Sequence, residues 1–222
     1  MTHERHIAVK RTARYYLLGE MGPAVEDVWF VCHGYGQLAG DFVKEFECIA
    51  DPKRLIVAPE ALSRYYVPSA PGFHGPESKV GATWMTREDR EAEIADYIAY
   101  LDDLYAEVMS QIGNRQVRVT VLGFSQGGAT ANRWVTRGNV RPDRLLMWGC
   151  LLTSDSDLNQ AAEFFKTVRL TLVYGTRDQF AATNMISEYE ELLTSKSVPF
   201  QVKSFDGGHR MDRQTLKRLA DS

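Results

Sequence analysis

An α/β fold is what this chain predicts: a mostly parallel central sheet, an antiparallel N-terminal strand pair and helices on both faces. Three observations carry the prediction. Short apolar runs alternate with segments of helical period along the chain. The runs are apolar at successive residues, as strands covered on both faces must be. Four of them run into glycine: "VWFVCHG", "VTVLGFS", "LLMWGC" and "LTLVYGT". At 222 residues, 44% apolar and 25% charged, the chain can build one sizeable core. No repeat, low-complexity tract or Gly/Ser linker divides it, so residues 1–222 are expected to form a single domain.

Two strand-like pieces, around residues 7–11 and 13–18, are expected to pair antiparallel, with Lys10, Arg11 and Arg14 on the wet face. "VWFVCHG" (Val28 to Gly34) is a buried strand, and "HGYG" (residues 33–36) a glycine-rich turn before the helix "LAGDFVKEF". "RLIVAPE" follows as a strand. Residues 59–85 then carry Pro59, Pro68, Pro71, Pro76, Tyr65, Tyr66, Phe73 and Trp84 without a clear period. Connections this long without regular structure are uncommon and serve as lids or binding loops, so a lid or pocket wall is expected there.

The strongest helix spans residues 86–113, where Ile94, Ile98, Leu101, Tyr105, Val108 and Ile112 recur on one face. Thr86 and Asp89 fit a capping box, Gly113 sits at the C′ position, and Arg87 and Glu91 are spaced as an i,i+4 pair. "VRVTVLGFS" and "QGGATANRWVTRG" form a strand and a helix. The strands "RLLMWGC", "LTLVYGT" and "FQVKSF" and a last helix complete the chain.

The net charge is −3 with both signs mixed, and no basic stripe with interleaved aromatics appears, which excludes nucleic acid as a partner. No apolar stretch approaches the length that spans a bilayer, and the N-terminus lacks a secretory pattern, so the cytoplasm is the expected compartment. Cys32, Cys48 and Cys150 are odd in number and widely spaced, pointing to buried free thiols rather than disulfides or a zinc site.

The chemistry centres on "GFSQGG". Gly-x-Ser-x-Gly arises by chance in roughly one chain in ten of this length. Here it joins a strand to a helix, the context in which a sharp turn lifts Ser125 clear of the sheet at a helix N-terminus. A serine needs a base. Of the five histidines only His209, in "FDGGHRMD", follows Ser125. In this architecture the order is serine, acid, histidine. Asp178 in "YGTRDQF" follows a strong strand and is the favoured acid. Asp155 and Asp157 are the runners-up, Asp206 is close in sequence to His209, and Asp143 sits at the wrong strand end. Two oxyanion donors are expected: the backbone N–H of Gln126, just after the serine, and that of Tyr35 in "HGYG".

"HGYGQ", "GFSQGG", "GTRD" and "GGH", in that order across nearly the whole chain, resemble the carboxylesterase/phospholipase family of the α/β-hydrolase superfamily, which includes the acyl-protein thioesterases. "PEALSRYYV" and "GATWMTREDREAEIADYIAYLDD" look closer to a subgroup of small bacterial esterases. Dienelactone hydrolases share size and fold but resemble a cysteine-nucleophile pattern that Ser125 does not match. The resemblance implies an α/β-hydrolase fold without a separate cap domain and a Ser125–Asp178–His209 triad. It also implies an oxyanion hole of Tyr35 and Gln126 amides, with no cofactor and no metal. Where the thioesterases carry their own pocket loop this chain has "SRYYVPSAPGFHGPESKVGATWM", so their palmitoyl specificity does not transfer. Trp84, Met85, Tyr65 and Tyr66 are the expected substrate-pocket walls. The activity expected is serine carboxylesterase action on small to medium acyl esters. The alternatives are an acyl thioesterase, lysophospholipase or small peptidase on the same triad, and a non-catalytic binding protein on the same fold.

Overall fold

The structure, a computed structural model, describes residues 1–67, 75, 77–113, 116–153, 155, 157–180 and 183–222, the first three of the last span by backbone alone. The strand β2 (Asp27–Cys32) is buried at every position, and its alternation feeds two cores. Val28, Phe30 and Cys32 enter one, Trp29 and Val31 the other. β3 (Arg54–Pro59), β6 (Arg118–Phe124), β7 (Arg144–Trp148) and β8 (Arg169–Gly175) divide their side chains in the same way. A strand sandwiched between helices must be apolar on both sides, which explains the uninterrupted runs.

These strands join β1 (Tyr15–Leu18) and β9 (Gln201–Phe205) in a seven-stranded sheet of order β1-β3-β2-β6-β7-β8-β9. All neighbours pair parallel except β1 with β3. One face is covered by α2 (Arg90–Ile112), α3 (Gln126–Arg137), α4 (Leu158–Phe164) and α5 (Thr183–Ser195). The other carries α1 (Ala39–Phe42), the 3-10 turn that continues it (Val43–Ile49), and α6 (Arg213–Ala220).

The structure corrects several local expectations. The antiparallel pairing at the N-terminal edge joins β1 to β3, with Tyr15 opposite Pro59. Residues 7–11 form no strand: Ile7 and Val9 are exposed and bury too little surface to offset the cost of ordering them. Residues 59–85 are not uniformly irregular, because β4 (Ser63–Tyr66) and β5 (Val80–Thr83) pair antiparallel as a second small sheet. Pro68, Pro71, Phe73, His74 and Pro76 lie outside the described residues.

α2 starts at Arg90 rather than Thr86, with Asp89 at its N-cap in a left-handed conformation and making no side-chain cap. Gln126 accepts from the Trp84 amide and donates to the Met85 carbonyl, which holds residues 84–85 out of a helix. Thr86 instead hydrogen-bonds Glu93, within the helix. Arg87 therefore precedes α2, and Arg90 is the residue that pairs with Glu91. Gly113 ends the helix at φ 87°. No helix among the described residues is long and apolar enough to cross a membrane. Cys32 is buried, Cys48 and Cys150 are half-buried, and all three are free thiols.

Candidate active site

The turn between β6 and α3 is strained and tightly packed. Ser125 adopts φ 53° and ψ −120°, a region costly for any residue with a side chain. Its N–H donates to the Trp148 carbonyl at 2.8 Å and its carbonyl accepts from Gly128 at 2.9 Å, so both neighbours enforce the conformation. A Cβ on Gly123 would collide with the Gly127 backbone, and one on Gly127 with the carbonyls of Cys32 and His33. The space a Gly128 side chain would need is filled by the Cys150 thiol. Burial pushes that thiol up to about 12, leaving it protonated and apolar in character.

His209 Nδ1 lies 2.8 Å from Asp178 Oδ2. The carboxylate side chain is 1% exposed and the imidazole 17%. The remaining Asp178 oxygen, Oδ1, accepts from the Phe180 amide at 2.9 Å. Backbone ties bring the loops after β8 and β9 together: Thr176 N–H donates to Phe205 and Arg177 N–H to Gly207. Gly149 provides the floor of the pair. At φ 62° it follows β7, and a Cβ there would lie 2.9 Å from the imidazole Cε1. The imidazole also contacts the Phe124 ring, one residue before Ser125, at a centroid distance of 4.8 Å. The Ser125 hydroxyl and His209 Nε2 make no hydrogen bond among the described residues, and such contacts commonly tighten only when substrate binds. An imidazole held at Nδ1 by a buried carboxylate is chemically able to accept a proton at Nε2.

The backbone amides of Tyr35 and Gln126 have no acceptor among the described residues. The turn holding Tyr35 is fixed on every side. Gly34 N–H donates to Gln37 Oε1 at 2.7 Å, and Gly36 N–H to the Ala82 carbonyl at 2.9 Å. The buried His33 ring accepts from Ala61 N–H at Nε2, so its proton sits on Nδ1 and is donated to the Gly34 carbonyl. His33 is a structural residue of this turn.

The tentative pocket residues separate. Trp84 is a core residue, 2% exposed, packed on His33 and Tyr97 with its Nε1–H donated to the His33 carbonyl. Its side chain braces the turn from inside the core. Met85 is half-buried against Arg133, whose Nη1 lies 3.6 Å from its sulfur. Tyr65 packs against Tyr35 with ring centroids 5.4 Å apart and planes tilted by 34°, and Tyr66 is exposed beside it on β4. Among the other acids, Asp155 binds Arg133, Arg137 and Arg90, Asp157 caps α4, Asp206 pairs with Arg177, and Asp143 accepts from the Val119 amide.

Three participants escape the linear motif. Gly149 and Phe180 were hidden because their roles come from neighbours distant in the chain. The Gln126 side chain joins Thr83, Trp84 and Met85 to the serine turn, so this residue contributes more than its amide. Among the described residues, the one group able to ligate a metal together is Glu4, His6 and Asp89, all exposed, and it includes none of Ser125, Asp178 and His209.

Residues 22–222 match the family model described as Phospholipase/Carboxylesterase. No curated protein matches the chain. Among solved structures, acyl-protein thioesterase 2 of Zea mays is 18% identical, covering 95% of this chain and 97% of its own, with a TM-score of 0.68. A carboxylesterase from Mesorhizobium loti is 16% identical over 94% of both chains, with a TM-score of 0.67. The carboxylesterase of Bacillus cereus is 12% identical over 94% of this chain and 92% of its own, with a TM-score of 0.64. At these identities the likeness establishes the α/β-hydrolase fold.

Proposed function

The chain belongs to the phospholipase/carboxylesterase family, and from that premise we propose that it is a serine carboxylesterase acting on small to medium acyl esters. Ser125 attacks the ester carbonyl as His209 Nε2 takes its proton, forming a Ser125 Oγ–acyl bond by way of a tetrahedral oxyanion. The amides of Tyr35 and Gln126 receive the negative charge on that oxygen. His209 returns the proton to the departing alkoxide as the carbonyl–alkoxy bond breaks. Water then repeats the attack on the acyl-enzyme and releases the carboxylic acid and free Ser125. Asp178 holds the imidazole in the tautomer with its proton on Nδ1 and stabilises the transient cation.

The observation that carries this reading is the 2.8 Å His209–Asp178 hydrogen bond, set beside a serine whose backbone is held in a strained turn. Support for a modest acyl group comes from the surroundings: Tyr35 and Phe180 present exposed aromatic surface at the site's borders, 62% and 64% exposed. A fluorophosphonate probe tests the mechanism. Stoichiometric labelling at Ser125, abolished in Ser125→Ala, is expected. A folded protein that stays unlabelled would sink the proposal. Rates on aryl esters of increasing chain length, set against acyl thioesters and lysophospholipids, test the substrate class.

A further inference from the structure

A groove of about 420 Å³ opens at the opposite end of the strands from Ser125. Arg144 and Arg169, at the starts of β7 and β8, line it together with Thr171, Lys203 of β9 and Arg218 of α6. Ser125, Asp178 and His209 instead follow the ends of β6, β8 and β9. The groove's described lining holds four cationic side chains and no aspartate or glutamate.

Arg144 is the unusual member. It is 3% exposed. Its Nε donates to Thr120 Oγ1 at 2.7 Å and its Nη1 to the Leu219 carbonyl at 2.8 Å and to the main-chain oxygen of Ser222, another lining residue, at 3.1 Å, while the guanidinium lies 4.9 Å over the Trp29 ring. Its Nη2 is buried without a partner. Buried donors are almost always satisfied, and an orphan N–H on a charged group marks a place where an acceptor belongs. The nearby carboxylate cannot serve, because Asp27 is occupied by Arg54, Arg118 and Trp29. Burial, with repulsion from Arg118, Arg169 and Arg54, draws Arg144 down to about 10 despite the attraction of Asp27. Positive charge is thus concentrated here, met by Asp27 and by the Ser222 main-chain oxygen that accepts from Arg118 and Arg144.

We propose that this groove binds the phosphate group of a small anionic ligand, with Arg144, Arg169, Lys203 and Arg218 as its cationic donors. A phosphate offers three terminal oxygens and up to two charges, suited to cations that line one groove from three strands and a helix. The volume exceeds that of a bare ion, and the lining residues Leu146 and Leu219 give a short carbon frame an apolar surface. The site stands independently of the hydrolase reading.

Isothermal titration of the full chain at low ionic strength, with inorganic phosphate and with glycerol 3-phosphate, tests the proposal. Saturable binding is expected, weakened at least ~10-fold in the double variant Arg169→Ala/Lys203→Ala by loss of two charge-assisted contacts. Both positions are exposed, so the variant is expected to melt and hydrolyse esters as the native chain does. Tighter binding of glycerol 3-phosphate identifies the ligand as a phosphomonoester, and equal binding identifies free phosphate. Absence of saturation by either anion, or undiminished binding in the double variant, overturns the proposal.

Discussion

Phe180 stands edge-on against His209, with ring centroids 4.8 Å apart and planes inclined at 66°. Its amide also holds the Asp178 oxygen that His209 does not use, so one residue touches both partners of the pair. An aromatic contact of this kind contributes about 0.5–1.5 kcal/mol, or roughly 2–12-fold in rate if it is needed at the transition state. Phe180→Ala is therefore expected to lower kcat/KM on an aryl ester by that factor, with Phe180→Tyr restoring it. The melting temperature should stay put, because the ring is mostly exposed. Unchanged kinetics in the alanine variant would remove Phe180 from the site.

Asp178→Asn preserves an acceptor for the Phe180 amide but removes the charge opposite the imidazole. The expected result is a loss of about 10³–10⁴ in kcat with little change in KM, the behaviour of a site left with the wrong histidine tautomer. Steady-state kinetics on one ester decide this, alongside a denaturation curve showing that the fold persists.

Gln126→Ala strands the Trp84 amide, which its side chain now satisfies, and leaves the Met85 carbonyl with Thr83 Oγ1 alone. Leaving such groups unpaired costs about 1–3 kcal/mol. Urea denaturation should show that loss, and kcat should fall more than KM rises, because the amide proposed to receive the oxyanion belongs to the same residue. A variant as stable and as active as the native chain would mean that the clamp is idle.

Burial holds His33 below its ordinary value, against the opposing pull of the Gly34 carbonyl and Glu60. The unfolded chain binds a proton on this ring more readily than the folded one. Its contribution to stability is complete above the unfolded value near 6.5 and declines as pH falls through the window beneath it. His33→Gln should flatten the stability–pH curve below about pH 6.5 relative to the native protein. Parallel curves from urea titrations would contradict this.

Asp155 shows the carboxylate case. Burial raises it, but hydrogen bonds from Arg133 and Thr153 outweigh that and hold it well below the usual range. Its stabilisation is present above about pH 4 and is lost as pH falls further. Asp155→Asn is expected to cost about 1–3 kcal/mol at pH 7, with the gap to the native protein closing in acid. A gap that persists at low pH would place the effect in packing rather than in charge.

The sheet and the order of the site residues were legible because each rests on local signals: apolar runs of strand length, glycines at sharp turns, a histidine after the last strand. The N-terminal pairing was misread because strand partners are chosen by tertiary contact, and β3 offered Tyr15 a better edge than residues 7–11. The hairpin in residues 59–85 was hidden by its prolines and by the brevity of β4 and β5. Trp84 looked like a pocket wall from its place in an aromatic segment, yet its indole N–H had a carbonyl waiting inside the core. The basic groove left no trace as a charge run, since Arg144, Arg169, Lys203 and Arg218 come from four separate elements.

β9 is an edge strand with β8 as its single neighbour, and of its five residues only Phe205 is buried. His209 hangs from that strand, whereas Ser125 is anchored in the middle of the sheet. On the proposed mechanism, fraying at the margin disarms the molecule while its centre remains intact. On heating, catalytic half-life and ellipticity should part company, with amide exchange in residues 201–205 tracking the former. With His209 as the proposed base, durability in catalysis is set by the last strand.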